Sequence, residues 1–197
     1  MKLVLASKNA KKLVEMNTIL SRLGIEVCSE AQAGVDIDVE ETGTTFEENS
    51  LLKAQAVMQA AGLPAIADDS GLCVDALQGA PGVYSARYGG EGLDDMGRTR
   101  LLLENMRGVQ GPRSAKFVSV ITCCFPNGDV LCARGECPGT IAFTPMGEGG
   151  FGYDPVFFIP QLKKTFAQLT AQEKNAISHR GQALKAFQVK LKEYLNK

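Results

Sequence analysis

The segment Ser7-Lys8-Asn9-Ala10-Lys11-Lys12 places three lysines where a helix is predicted to begin. An apolar run from Lys2 to Ala6 predicts a buried strand before it, and apolar residues at helical spacing follow it. The first turn of a helix offers free backbone N–H groups and the positive end of the helix dipole, which together favour an anion. Because the glycines of the G-x-x-x-x-G-K-[ST] phosphate loop are absent, the segment predicts either a phosphate site or a solvated helix start.

Two adjacent acids, Asp68 and Asp69, follow an apolar run that predicts a short buried strand from Pro64 to Asp68. Neighbouring side chains of an extended chain point to opposite faces, so one carboxylate can address a cleft while the scaffold holds the other. A turn in which the Asp side chains cap backbone amides is the alternative. Together with Glu40 and Glu41 on a preceding loop, Asp69 could supply the few oxygen ligands that Mg²⁺ takes when substrate phosphates complete its shell.

Asn49 and Lys53 lie four residues apart on a predicted helix and therefore on one face of it. A capping box, Thr45-Phe-Glu-Glu48, begins this helix, and Gly62 ends it. Lys53 is either a surface lysine or a further cation for a phosphate group, and the sequence alone leaves both interpretations open.

Two segments in the last quarter of the chain could bind a nucleobase. In Gly149-Gly-Phe-Gly-Tyr-Asp-Pro155, glycines flank an aromatic ring that could stack on a base, and Asp154 offers an acceptor; a tight turn into a strand is the alternative. In the second segment, Ser178 is placed to cap the last helix, which puts Arg180 in a first turn where the dipole disfavours a cation. A polar or anionic ligand would offset the unfavourable interaction between Arg180 and the helix dipole. The neighbouring His179 could equally be a packing residue.

The elements that must position these side chains alternate between strand and helix patterns. Beyond those already given, we predict strands from Ile25 to Ser29 and from Val156 to Ile159, a helix around residues 94–107, and a terminal helix after a Thr170–Glu173 capping box. Asn127-Gly128 lies between β-rich runs at 114–125 and 130–137 and predicts a hairpin. These patterns predict an α/β protein with a mixed sheet.

Composition narrows the class of protein. With 45% hydrophobic and 22% charged residues, the 197-residue chain can bury a core, which excludes disordered, collagen-like and coiled-coil proteins. A net charge of -1 provides no overall attraction to nucleic acid or to an anionic membrane. The six cysteines lack C-x-x-C spacing, which indicates reduced core residues of a cytoplasmic protein. No run approaches the roughly 20 apolar residues of a membrane span.

Six segments in order resemble the inosine/xanthosine triphosphate pyrophosphatase family: SKNAKK, EETGTTF-x-EN, LPAIADDSGL, GAPGVYSARY, GGFGYDP and EKNAISHRGQAL. The resemblance covers essentially the whole chain. It implies hydrolysis of ITP, dITP and XTP to the monophosphate and pyrophosphate with Mg²⁺, in a cytoplasmic homodimer that cleanses the nucleotide pool. It also implies one domain, 1–197, in which a long mixed sheet with helices on both sides divides two lobes around a substrate cleft.

The resemblance also implies roles for single residues. Asp69 matches the proton acceptor and a metal ligand, Glu40 the other acidic metal position with Glu41 as the neighbouring alternative, and Lys53 and Asp68 match supporting charges of the cleft. The positions that match triphosphate-binding residues are Ser7, Lys8, Asn9, Ala10, Lys11, Lys12 and Ser70. Those that match residues around the purine are Phe151, Gly152, Tyr153, Asp154, Lys174, His179 and Arg180.

These residue types suit the reaction. Attack of water on the α-phosphate needs a base, and the departing pyrophosphate needs cations. Donors fixed where the purine O6 will lie select a 6-oxo base, because an adenine amino group would leave them unpaired. Two other functions are open: a pyrophosphatase for modified pyrimidine triphosphates, and a nucleotide-binding sensor without turnover, against which the intact Asp69, Glu40 and Lys53 argue.

Overall fold

A seven-stranded mixed sheet organises the described residues, which are 1–90 and 92–196 of this computed structural model. Its strands are β1 (Lys2–Leu5), β2 (Glu26–Ser29), β3 (Ala65–Val74), β4 (Ser114–Cys124), β5 (Val130–Ile141), β6 (Phe157–Ile159) and β7 (Lys164–Thr165). They lie in the order β2-β1-β3-β4-β5-β6-β7. The strand β1 pairs in parallel with β2 and β3, whereas β6 pairs antiparallel with β5 and β7. The prediction of a mixed sheet is confirmed.

The helices begin and end where local signals predict. They are α1 (Ala10–Leu20), α2 (Phe46–Ala61), α3 (Asp95–Asn105), α4 (Ala171–Ile177) and α5 (His179–Leu195). The predicted capping boxes start α2 and α4, and Gly62 ends α2 in the left-handed region at φ 63. Ser178 is extended, with φ -65 and ψ 156, and separates α4 from α5. No helix among the described residues is long and apolar enough to cross a membrane.

The chain forms two compact units. The first comprises Met1–Asp69, Ser119–Gly135 and Arg180–Lys197, and the second comprises Ser70–Val118 and Glu136–His179. In the first unit, Leu3 and Leu5 pack with α1 and α5, while Val4 and Ala6 pack with α2, because alternate residues of β1 face opposite sides. Helices therefore cover both faces of β1, as predicted.

The second unit has its own apolar core. Phe157 packs edge to face on Phe117 and Phe166, with ring centroids 4.6 and 4.8 Å apart. Leu102 and Met106, at the end of α3 and just after it, complete this core and are fully buried. The arrangement of two lobes around one cleft stays a prediction.

One strand is longer than its sequence indicates. The predicted end of the third strand at Asp68 is wrong, because β3 continues through Gly71 to Val74. Leu72 and Val74 keep the alternation and are fully buried, and the Leu72 N–H donates to Ser85 Oγ at 2.8 Å. The two acids therefore lie within a strand and not at the start of a loop. The predicted hairpin is confirmed, with Phe125 and Asp129 closing the turn, but β5 extends four residues past the predicted end at Cys137.

Candidate active site

Lys53 joins two carboxylates in the first unit. Its Nζ lies 2.6 Å from Asp69 Oδ1 and 2.6 Å from Glu41 Oε1. The helix α2 supplies Lys53, the strand β3 supplies Asp69, and the loop before α2 supplies Glu41. Glu40, the position first matched to the acidic metal ligand, is exposed, and its role as a ligand stays a prediction. The structure thus brings Glu41, and not Glu40, into contact with the Lys53–Asp69 pair.

Asp69 keeps one carboxylate oxygen that has no partner in the part of the chain that the structure describes. Burial raises the pKa of Asp69, although Lys53 acts against this rise. Burial lowers the pKa of Lys53, but the two carboxylates outweigh that effect and raise it above the ordinary value. Asp69 Oδ2 is buried and has no hydrogen-bond partner among the described residues. Since a buried acceptor without a partner is costly, this atom is suited to a water, a proton or a cation that arrives with the substrate.

Asp69 and Glu41 fit a Mg²⁺ ion that also binds substrate. Mg²⁺ is usually held by one or two carboxylates together with substrate phosphates. Within residues 1–90 and 92–196, no group of three or more His, Cys, Asp or Glu side chains could hold a metal ion alone. The carboxylate oxygens of these two residues, including Asp69 Oδ2 with no partner among the described residues, therefore suit an ion whose coordination phosphate oxygens complete.

Asp68, by contrast, is fully occupied by the scaffold of the first unit. Its side chain is wholly buried; Oδ1 accepts a hydrogen bond from Ser119 Oγ at 2.8 Å, and Oδ2 accepts one from Arg180 Nε at 2.7 Å. Arg180 also donates to Glu15 Oε2 at 2.5 Å. Burial lowers the pKa of Arg180, but Asp68 and Glu15 together raise it well above the ordinary value. Asp68 is therefore part of a buried ionic network.

Lys12 connects this network to a cavity. Its Nζ donates to the Asp68 carbonyl oxygen at 3.0 Å and lies 3.3 Å from Asp68 Oδ2. A cavity of about 260 Å³ at the carboxyl end of β1 is lined by Ala6, Ser7, Lys8, Lys12, Glu30, Ile37, Asp38, Val39, Glu41, Lys53 and Val57. Three lysines thus meet in one pocket of the first unit. Burial lowers the pKa of Lys12, and Asp68 acts against this shift.

The start of α1 differs from the predicted set of free amides. Asn9 Oδ1 accepts hydrogen bonds from the backbone N–H groups of Lys11 and Lys12, at 2.9 and 3.3 Å. An asparagine at this position satisfies donors that a phosphate would otherwise bind. Asn9, Ala10 and Lys11 are exposed and do not line the cavity. Attraction for an anion therefore comes from lysine side chains more than from the helix terminus.

In the second unit, Asp154 organises the predicted base-binding loop. Its Oδ2 accepts hydrogen bonds from Lys174 Nζ at 2.6 Å and from the Phe151 N–H at 2.9 Å. Lys174 Nζ lies 4.6 Å from the centroid of the Phe151 ring. A Cβ at Gly150, where φ is +75, would lie 2.0 Å from Asp154 Oδ2, so this turn requires glycine. The loop makes the tight turn that was the alternative interpretation, with Phe151 half-buried, and its binding of a base stays a prediction.

The remaining predicted residues of this unit have scaffold contacts. Tyr153 is buried and donates to the Ser85 carbonyl oxygen at 2.9 Å, and Asp95 Oδ2 accepts the Gly152 N–H at 2.8 Å. The His179 ring is buried and stacks on Phe117 with centroids 4.7 Å apart. Ser70 is half-buried in β3. His179 and Tyr153 therefore contribute to the core of this unit.

Sequence reasoning did not identify three residues described above: Glu15 and Ser119 of the buried network, and Glu30, which lines the cavity. Glu15 lies three residues after Lys12 on α1, a helical spacing that could have placed both on one side. Ser119 carries no local signal, because its role depends on the pairing of β4 with β3.

Known proteins resemble the chain over almost its full length. The model of the Ham1 family matches residues 3–190. The dITP/XTP pyrophosphatase of Shigella flexneri is 51% identical over 187 residues, which cover 93% of this chain and 94% of that protein. The protein of the same name from Desulforamulus reducens is 48% identical over 198 residues, covering 100% and 96% of the two chains.

Solved structures agree with these sequence relatives. A HAM1 protein from Coxiella burnetii superposes with a TM-score of 0.91 at 45% identity, covering 98% of this chain and 99% of that chain. The Ham1 protein of Staphylococcus aureus gives 0.89 at 42% identity, covering 98% and 100%. The resemblance noticed in the six sequence segments is thus confirmed independently at the level of sequence and of fold, and the chain belongs to the Ham1 family.

Proposed function

We propose that the protein hydrolyses nonstandard purine nucleoside triphosphates, namely ITP, dITP and XTP, to the nucleoside monophosphate and pyrophosphate. Relatives about half identical over nearly the whole chain carry the name dITP/XTP pyrophosphatase. The observation that carries the proposal is the carboxylate of Asp69. Its Oδ2 is buried with no hydrogen-bond partner among the described residues, and its Oδ1 forms an ion pair with Lys53, which lines a cavity with two more lysines. An acceptor beside several cations is what hydrolysis of a phosphoanhydride requires.

In this mechanism the lysines bind and the aspartate accepts a proton. Lys8, Lys12 and Lys53 neutralise the phosphate oxygens, so that negative charge on the departing pyrophosphate is stabilised. Asp69 Oδ2 orients a water toward the α-phosphate and takes its proton. Asp68 does not react; it holds Lys12 in place through the buried network with Arg180.

Asp69 and Glu41 are the residues that would hold Mg²⁺. The ion supplies charge neutralisation at the phosphates when bound. Lys53 lies between the two carboxylates and orients both through its ion pairs with them.

Residues of the second unit are proposed to recognise the base. Lys174 is a donor-only side chain held by Asp154, so it suits a purine with an oxygen at position 6 and leaves an adenine amino group without an acceptor. The exposed fraction of Phe151 offers a ring for stacking beside Lys174.

We further propose a cytoplasmic homodimer whose activity keeps nonstandard purines out of DNA and RNA, with no nucleic-acid or membrane partner. The near-neutral charge of the chain supports the last point. Sedimentation at several protein concentrations tests the dimer.

Product analysis over a panel of nucleoside triphosphates tests the function. ITP, dITP and XTP with Mg²⁺ are expected to give monophosphate and pyrophosphate, whereas diphosphate with orthophosphate would indicate attack at the γ-phosphate and refute the mechanism. Asp69→Asn should lower kcat by about 10² or more because the amide cannot accept the proton. Asp75→Asn makes the same change at an exposed carboxylate outside the cavity and serves as the matched control. Turnover of modified pyrimidine triphosphates alone would establish the pyrimidine pyrophosphatase, and binding without turnover would establish the nucleotide sensor. Activity that EDTA does not change would exclude Mg²⁺ from the mechanism.

A further inference from the structure

Asn49 is a wholly buried amide on α2 that uses only part of its hydrogen-bonding capacity. Its Oδ1 accepts a hydrogen bond from the Gly43 backbone N–H at 2.8 Å. Its Nδ2 is buried and has no partner in residues 1–90 and 92–196. A buried amide with an unused donor is unfavourable, and an apolar side chain would avoid that cost. The contact with Gly43 is thus the interaction that this residue type specifically provides.

The turn that Asn49 holds is attached to α2 at three successive backbone positions. The N–H groups of Thr44 and Thr45 donate to Glu48 Oε2 at 2.6 and 3.2 Å, next to the Gly43–Asn49 bond. The approach at Gly43 is close, because a Cβ there would lie 2.6 Å from Asn49 Oδ1 and 2.7 Å from Glu48 Cβ. Only glycine allows the loop to come this near to the helix.

This attachment lies next to a proposed metal ligand. Glu41 comes two residues before Gly43, and Lys53 lies one helical turn after Asn49 on the same face of α2. Residues 35–43 belong to no helix or strand, so no sheet or helix hydrogen bonds fix the position of Glu41. Its 2.6 Å contact with Lys53 therefore depends on where the loop is anchored.

We propose that Asn49 is a positioning residue: by binding the Gly43 amide it anchors the acidic loop to α2 and holds Glu41 against the Lys53–Asp69 pair. This inference rests on the function proposed above for Glu41 and Asp69. It assigns Asn49 no contact with the substrate. It also explains the glycine at position 43, since any side chain there would push the loop, and Glu41 with it, away from the helix.

The anchor is tested first without any activity measurement. Hydrogen–deuterium exchange of the Gly43 amide should become at least about tenfold faster in Asn49→Ala, because the amide loses its buried acceptor. Gly43→Ala disturbs the same contact from the loop side and leaves the buried helix face intact. Thr44→Ala is the matched control, since it removes a hydroxyl from the same turn and keeps the Gly43–Asn49 bond. Unchanged exchange in Asn49→Ala would overturn the anchor.

The second test is kinetic coupling to Glu41. In the wild-type background, Asn49→Ala and Gly43→Ala should each lower kcat/KM for ITP about tenfold or more, and Thr44→Ala should not. In the Glu41→Gln background, neither should lower kcat/KM further by more than about twofold, because the carboxylate that they position has already been replaced by an amide. Losses that multiply, or full activity in Asn49→Ala, would overturn the inference. A wild-type protein that releases no pyrophosphate from any nucleotide would instead refute the proposed function, while hydrogen exchange still decides the anchor.

Discussion

Replacing Asp68 by asparagine should damage stability, although the change is made next to the proposed base. The wild-type carboxylate is wholly buried and faces two cations, with Arg180 Nε at 2.7 Å and Lys12 Nζ at 3.3 Å. The oxygen of asparagine can accept the hydrogen bond from Arg180 and its NH2 group can donate to Ser119 Oγ, but the substitution removes the negative charge. Arg180 retains Glu15, whereas Lys12 loses its nearest carboxylate and retains the hydrogen bond to the backbone carbonyl of residue 68.

The magnitude follows from the cost of an uncompensated buried charge. Removing one partner of a buried ion pair typically costs ~3–5 kcal/mol, and the remaining Glu15 argues for the lower end, about 3 kcal/mol. For a chain of this size each kcal/mol shifts Tm by roughly 2–4 °C, so we expect a drop of about 6–12 °C. Asp69→Asn should cost less stability. Burial raises the pKa of Asp69 and so already disfavours its charged form, and Lys53 keeps Glu41 as an ion-pair partner after the substitution.

Thermal unfolding followed by circular dichroism, together with pyrophosphate release from ITP, checks both variants. Asp68→Asn should lose stability and retain part of its kcat, while Asp69→Asn should change in stability by less than ~1 kcal/mol and lose kcat by ~10² or more. Equal and small effects of both substitutions would show that the two acids are only a structural pair. A fully stable Asp68→Asn variant would refute the reasoning about the buried network.

Three other predictions concern the lysines and the cysteines. Burial lowers the pKa of Lys12, so KM for ITP should rise as the pH increases through that lowered pKa and the ammonium loses its charge. Lys12→Arg should remove this rise of KM at alkaline pH, because arginine stays protonated. Lys174→Ala should lower the ratio of kcat/KM for ITP over ATP by about tenfold or more, whereas Arg180→Ala, which disrupts the Asp68 network, should lower both values alike. Four of the six free cysteines are buried, and burial raises the pKa of one of them, Cys137, to about 11. An aromatic disulfide reagent at pH 8 should therefore react with no more than two thiols in the folded protein and with six after denaturant is added.

Local signals predicted the elements well because they act between residues close in sequence. The Thr45–Glu48 capping box, the left-handed Gly62 and the Asn127-Gly128 turn each depend on a few neighbours, and each is found where predicted. The continuation of β3 past Gly71 was not predictable in this way. A glycine in an apolar run is compatible with a loop, and the contacts that hold the chain extended there, such as the hydrogen bond from the Leu72 N–H to Ser85 Oγ, involve residues outside the run.

The division of labour between Asp68 and Asp69 shows where sequence reasoning stops. Alternation along a strand places their carboxylates on opposite faces, but it does not indicate which face is the one where substrate would bind. That is decided by Ser119 and Arg180, which lie 51 and 112 residues away from Asp68 and occupy both of its oxygens. Asp69 meets only Lys53 on Oδ1 and keeps a buried oxygen unpaired among the described residues. Since a scaffold carboxylate gains from being fully paired and a reacting one must keep a free lone pair, the partners of each residue support the role proposed for it.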